Sequence, residues 1–198
     1  MSVTASPVLC LASASPRRRD LLASIGVPLQ PCPVDIDEST LPGEGAEAYV
    51  MRLAREKALA GSRLTQLPTL GSDTAVVRDG EILGKPEGPE HAAGMLRSLA
   101  GREHRVLTAV AVVGPAGLLE CCVATRVAMR EISGAEIDAY WATGEPADKA
   151  GGYAIQGRAA VFIERIAGSH SAVVGLPLYE TAELLRQQGV ALWDGALR

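Results

Sequence analysis

Apolar and polar positions along this chain switch between alternating and helical spacing, and the switches mark out its elements. Val8-Leu9-Cys10-Leu11-Ala12 is an unbroken apolar run, the pattern of a buried strand. The amphipathic segment Asp20-Leu21-Leu22-Ala23-Ser24-Ile25 follows and stops at Gly26, as a helix does at its C-terminus. Ser15 suits the N-cap of that helix and Pro16 its first position. Residues 27–34 predict an edge strand weakened by Pro28, Pro31 and Pro33. After the acidic loop Asp35-Ile36-Asp37-Glu38, residues 46–64 predict a strongly patterned helix, with Tyr49, Val50, Leu53, Ala60 and Leu64 on one stripe. Residues 69–77 read as a buried strand interrupted by Ser72-Asp73-Thr74. Asp79-Gly80 then marks a tight hairpin returning through Glu81-Ile82-Leu83. A helix over 90–99 and strands over 105–113 and 118–129 come next, followed by a helix opened by the capping box Ser133-Gly134-Ala135-Glu136. A loop over 144–157, a strand over 160–166 and a helix from Pro177 to about Gly189 complete the pattern. Helices alternate with strands, but two hairpins stand among them. The expected fold is therefore α/β, a mixed β-sheet flanked by helices.

Length and composition refine this picture. The 198 residues suit one domain, or one domain in two lobes, and a hydrophobic fraction of 47% is ample for a core. A net charge of −4 argues against a nucleic-acid coat protein but leaves room for a local basic cluster that holds a small anion. Cys10, Cys32, Cys121 and Cys122 include no CxxC pair, and they read as reduced thiols filling the core of a cytoplasmic protein. No apolar stretch approaches the ~20 residues of a membrane span, and the first residues carry no leader pattern.

The chemistry concentrates at the ends of elements. Ser13-Ala14-Ser15-Pro16-Arg17-Arg18-Arg19 joins a strand to a helix, and so offers hydroxyls, backbone N–H groups, a helix N-terminus and guanidinium groups together. That combination holds phosphates, although an ordinary capped helix with basic residues on its wet face has the same pattern. Lys57 falls on the apolar stripe four residues after Leu53, where an ammonium either snorkels to the edge or serves a ligand. Asp73 interrupts an apolar strand, which costs several kcal/mol unless the carboxylate is paired or binds metal. Metal binding and proton abstraction are the functional reasons for such a charge, and capping the following backbone is the structural one. No HExxH, GxSxG or GxGxxG occurs, and Gly80 to Lys85 misses the P-loop spacing.

These residues stand in blocks: Leu11-Ala12-Ser13-Ala14-Ser15-Pro16-Arg17-Arg18, Ala54-Arg55-Glu56-Lys57-Ala58, Ser72-Asp73-Thr74, Gly84-Lys85-Pro86, the run from Asp148 to Gly157, and Val174-Gly175-Leu176-Pro177-Leu178. In that order they resemble the Maf-type nucleoside triphosphate pyrophosphatases, once described as septum-formation inhibitors, from Leu11 to about Leu185. Ala14 stands where glycine is frequent and Ser72 where alanine is usual.

The resemblance implies one pyrophosphatase domain over residues 1–198, with a long mixed sheet and two lobes around a central cleft, as in the related inosine-triphosphatase-like fold. It also implies hydrolysis of a nucleoside triphosphate to the monophosphate and pyrophosphate, with a divalent cation, Mg2+ or Mn2+, and often a dimeric assembly. By similarity, Arg17, Lys57 and Lys85 clamp phosphates together with Ser13, and Arg18 is a further candidate. Glu38 and Asp73 would hold the metal, and Asp73 would take the proton from the attacking water. Gln156 in the late block, with Arg17 and Thr74, marks the type acting on dTTP and UTP. A carboxamide offers a donor and an acceptor side by side, as the uracil or thymine edge requires. Two other functions fit the same blocks: a pyrophosphatase for purine or modified nucleotides, and a nucleotide-sensing regulator of cell division without catalysis.

Overall fold

The computed structural model describes residues 6–193, so the leader reading of the first residues lies partly outside that range. In chain order the elements are β1 (Leu9–Leu11), α1 (Pro16–Ser24), β2 (Leu29–Pro31), α2 (Ala46–Ser62), β3 (Thr69–Arg78), β4 (Glu81–Leu83) and α3 (Pro89–Leu99). They continue with β5 (Glu103–Gly114), β6 (Gly117–Met129), α4 (Gly134–Ala142), β7 (Ile163–Ala167), α5 (His170–Val174) and α6 (Leu178–Gln187). Among the described residues seven strands form one sheet in the order β2-β1-β3-β5-β6-β7, with β4 pairing β3. β1 runs parallel to β2 and β3, while β3–β4 and β6–β7 are antiparallel. The sheet is mixed, as the hairpins predicted.

The chain divides into two compact units. The first comprises Met1–Asp73, Thr108–Cys122 and Gly175–Arg198. Within its described residues, Leu9, Leu11, Leu22, Leu70, Val110, Val112, Leu176 and Leu185 build the core. Here α2 lies almost in contact with the backbone of β3. A Cβ on Gly71 would fall on the Ala54 carbonyl oxygen and the Ala58 amide, and one on Gly61 would meet the Ala12 Cβ at 2.8 Å. Gly71 thus sets the spacing of helix and strand. Asp73, two residues on, leaves the same face of the strand, towards the same helix.

The second unit comprises Thr74–Leu107 and Val123–Val174, with Val76, Leu96, Leu99, Val106, Val127, Met129, Ile137, Tyr140, Tyr153 and Phe162 in its core. The capping box of α4 forms as expected: the Ser133 hydroxyl accepts from Glu136 N at 3.3 Å, and Glu136 Oε2 accepts from Ser133 N at 2.9 Å.

Three sequence expectations change. The strand expected over 27–34 shrinks to Leu29–Pro31, because its prolines remove the amides a longer ladder needs. Residues 158–162 form a 3-10 turn before β7 begins, with Ala159 and Phe162, three apart, buried on one side of it. The apolar residues there follow a helical spacing, not an alternating one. The reading of four reduced thiols is corrected at Cys10 and Cys32, which form a disulfide. Cys10 lies opposite Gln30 on parallel strands, so Cys32 projects from the same face two residues on, with the Cα atoms 6.2 Å apart. Cys121 and Cys122 remain free and half-buried, and burial pushes both thiols up to about 11. Among the described residues no helix is long and apolar enough to cross a membrane.

Candidate active site

In the first unit, three of the charged residues singled out by the sequence meet at one atom. Lys57 extends from the buried stripe of α2, which it shares with Val50, Leu53, Ala54, Ala58 and Gly61. Its Nζ donates to Asp73 Oδ1 at 2.8 Å and lies 2.6 Å from Glu38 Oε1. Lys57 is only 7% exposed and Asp73 8%, so the ammonium does not snorkel to solvent but ends on a carboxylate inside the protein. Asp73 needs that partner, since an unpaired carboxylate at such depth is strongly unfavourable. Glu38, on the acidic loop, has a side chain that is half exposed. Among the hydrogen bonds of the described residues, Asp73 uses only one carboxylate oxygen.

The strand-to-helix joint lies in the same unit and is built differently from its sequence reading. Ser15 sits at the N-cap of α1 without a side-chain cap bond. Ser13 takes over part of that work, its Oγ accepting from Ser15 N at 3.2 Å and from Arg18 Nη1 at 3.1 Å. With both acceptor positions of the hydroxyl used, its proton is left to donate outwards, as a phosphate oxygen requires. Arg18 is buried, and its Nε also donates to Gly175 O at 2.9 Å, an oxygen that Ser72 Oγ approaches to 3.3 Å. Burial lowers the Arg18 guanidinium from its ordinary value, while the charges of Asp73 and Glu38 oppose that shift. Arg18 therefore joins the serine loop to Gly175. Arg17 is half-buried beside it on α1. Leu11, Ser13, Ala14, Ser15, Arg19, Pro31 and Pro33 line a small pocket here.

Thr74, Lys85 and Gln156 belong to the second unit. Lys85 is exposed after β4, and the neighbouring Gly84 O accepts from Gly151 N at 2.9 Å, which joins its loop to the start of the late block. Gly151 has φ +69°, and a Cβ there would collide with Val76, so only glycine makes this junction. Gln156 is exposed in the turn closed by Gly157 N donating to Ala154 O at 3.0 Å. Among the described residues no hydrogen bond is made by the Gln156 carboxamide.

Two residues that the sequence did not single out brace that turn instead. The Tyr140 hydroxyl accepts from Ala154 N at 3.2 Å and donates to Glu145 Oε1 at 2.8 Å. Glu145 also accepts from Arg158 N at 3.0 Å and Ala159 N at 3.4 Å. Burial raises the Glu145 carboxyl, but these donors outweigh it and hold the group below its ordinary value. A Cβ on Gly157 would strike the same carboxylate.

The fit of a divalent cation can be judged from the donors present. Among the described residues no group of three or more His, Cys, Asp and Glu side chains is gathered as a metal cage. Glu38 and Asp73 nevertheless face one point, the position of the Lys57 ammonium. That pair suits Mg2+, which proteins hold through one or two carboxylates while substrate phosphates and waters complete the octahedron.

Residues 8–188 match the Maf-like protein family. A dTTP/UTP pyrophosphatase of Alkalilimnicola ehrlichii is 53% identical over 186 residues, covering 90% of this chain and 92% of that protein. The dTTP/UTP pyrophosphatase of Escherichia coli O157:H7 is 52% identical over 179 residues, covering 89% and 91%. A HAM1 protein from Coxiella burnetii shares the fold at 18% identity, with a TM-score of 0.51 over 92% of this chain and all of that one. Match length and identity together leave one assignment: this chain belongs to the Maf family.

Proposed function

We propose that this protein hydrolyses nucleoside triphosphates, dTTP and UTP foremost, to the monophosphate and pyrophosphate. The observation that carries the reading is the buried ammonium of Lys57 held between Asp73 and Glu38. A carboxylate pair would repel a polyphosphate, and a sensor that only binds nucleotide gains nothing from it. A hydrolase needs it. The relatives named dTTP/UTP pyrophosphatase, at 52–53% identity over nearly the whole chain, support the substrate class.

In this reading one domain carries the reaction. The Ser13 hydroxyl, the N–H groups after it, Arg17 and Lys85 hold the phosphates, and Lys57 turns from its carboxylates to a phosphate oxygen as charge develops there. Arg18 keeps Ser13 aligned from behind and adds positive charge to the pocket. Glu38 and Asp73 would hold a divalent cation, Mg2+ or Mn2+, whose charge offsets that of the polyphosphate. Asp73 accepts the proton of the attacking water on the oxygen that Lys57 does not occupy. Gln156 and Thr74 face the base, the carboxamide pairing with the O4 acceptor and N3–H donor of uracil or thymine.

Product analysis tests this. UTP and Mg2+ should yield UMP and pyrophosphate in equal amounts. Formation of UDP and phosphate, or no turnover, would overturn the reading.

A further inference from the structure

The acidic loop between β2 and α2 has no secondary structure between Cys32 and Leu41, yet it carries Glu38 to the Lys57 ammonium. What fixes it is a set of side chains on α2. The Tyr49 hydroxyl donates to Glu38 O at 2.9 Å, and Arg52 Nη2 donates to Ser39 O at 2.9 Å, so consecutive carbonyls are held from one helix face. Arg52 also grips Glu44 bidentately, Nε to Oε1 at 2.6 Å and Nη2 to Oε2 at 2.7 Å. The Glu44 carboxylate in turn accepts from Leu41 N at 3.1 Å, and Leu41 O accepts from Glu44 N at 3.0 Å. The Glu44 side chain is 7% exposed and that of Arg52 18%, far more enclosed than the other surface ion pairs of this chain. The Arg52 guanidinium also lies 5.7 Å from the centroid of the Tyr49 ring and 3.5 Å from Glu56, two further contacts with α2.

Nothing in the substrate chemistry requires Arg52 to touch a phosphate, since its donors point at the loop. We infer that Arg52, with Glu44 and Tyr49, is a positioning device for Glu38: it locks the loop backbone at Glu38 and through the residues that follow it, so that this carboxylate stands beside Asp73. The inference rests on the reading above, in which Glu38 serves the reaction. The reason for such a device is entropic. A glutamate on an unbraced loop samples many positions, and a carboxylate pair works only when both members are in place together. Outer residues that orient a functional carboxylate are worth ~10–100-fold in activity when removed.

The test combines amide hydrogen exchange with a double-mutant cycle in the full chain. In the protein without nucleotide, Arg52→Met should speed exchange of the Leu41 and Glu44 amides by about tenfold or more, with α2 still protected. With UTP and Mg2+, Arg52→Met should lower kcat/KM by ~10–100-fold and raise the Mg2+ concentration needed for half-maximal activity. Added to Glu38→Gln, the same change should cost no more than about twofold further, because the residue it positions is already lost. Tyr49→Phe, which removes only the bond to Glu38 O, should show the same pattern at smaller size and serves if Arg52→Met does not fold. Unchanged exchange in the loop, or losses that multiply fully with Glu38→Gln, would overturn the positioning role. Full activity of Glu38→Gln alone would instead overturn the role of Glu38, with the exchange data still deciding whether the clamp exists.

Discussion

Removing the Lys57 ammonium should damage the fold more than removing its partner. In Lys57→Met the stem keeps its packing in the stripe of α2, so little apolar contact is lost. The Asp73 carboxylate, 8% exposed, then loses the ammonium bonded to it, with only part of its charge offset by the Arg18 guanidinium, and Glu38 Oε1, formerly 2.6 Å from the same nitrogen, adds repulsion. Leaving one member of a buried ion pair costs ~3–5 kcal/mol. The Glu38 share is small, because an exposed pair is worth ~0–1 kcal/mol. Asp73→Asn leaves Lys57 with Glu38 and with an amide oxygen still able to accept, so it should cost only ~1–2 kcal/mol. The double variant removes both buried charges and should be more stable than Lys57→Met by ~1–3 kcal/mol. Urea denaturation of wild type, both single variants and the double variant gives all of these differences. The reasoning fails if Lys57→Met is no less stable than Asp73→Asn, or if the two effects simply add. Turnover should fall in every variant, which makes stability the discriminating readout.

Further outcomes follow from other parts of the structure. Gln156→Glu should lower the UTP-to-CTP ratio of specificity constants roughly tenfold to a hundredfold, because a carboxylate meets the O4 acceptor with another acceptor. An equal loss for all nucleotides would sink base reading by Gln156. Burial lowers the His104 imidazole to about 4, and its ring stands 2.8 Å from the Tyr153 hydroxyl. The unfolded chain therefore binds a proton below about 6.5 that the folded one refuses until about 4. His104 thus costs ~3 kcal/mol of stability as pH falls through that window, and none above it. His104→Phe should flatten the acid limb of a stability-against-pH curve between pH 6.5 and 4, and an unchanged slope would refute this.

Much of this was legible in the chain because the local signals were strong. The Asp79-Gly80 turn and the Ser133–Glu136 capping box depend on residues close in sequence, and both formed where expected. The stripe of α2 was legible only in part: Val50 and Leu53 are buried, but Leu64 lies beyond the helix and is exposed, and Ala54, Ala58 and Gly61 complete the buried face instead. Lys57 and Asp73 were also visible as charges in apolar settings. Their pairing was not, since it depends on how closely Gly71 lets β3 approach α2. The disulfide needed the parallel register of β1 and β2, with partners 22 residues apart. Arg52 offered only its spacing to Glu56, and its stronger partner, Glu44, lies outside the helix. The brace at Gln156 was hidden for the same reason, because Tyr140 and Glu145 act on backbone amides that no side-chain pattern reveals.

The most direct test of the account is pyrophosphate release by wild type and Asp73→Asn across UTP, dTTP, CTP and GTP at fixed Mg2+. Wild type should act on UTP and dTTP with specificity constants above those for CTP and GTP, and Asp73→Asn, still folded, should lose ~10²–10⁴-fold on all of them. A variant that keeps more than about a tenth of wild-type turnover would contradict the role of Asp73 at the centre of this site.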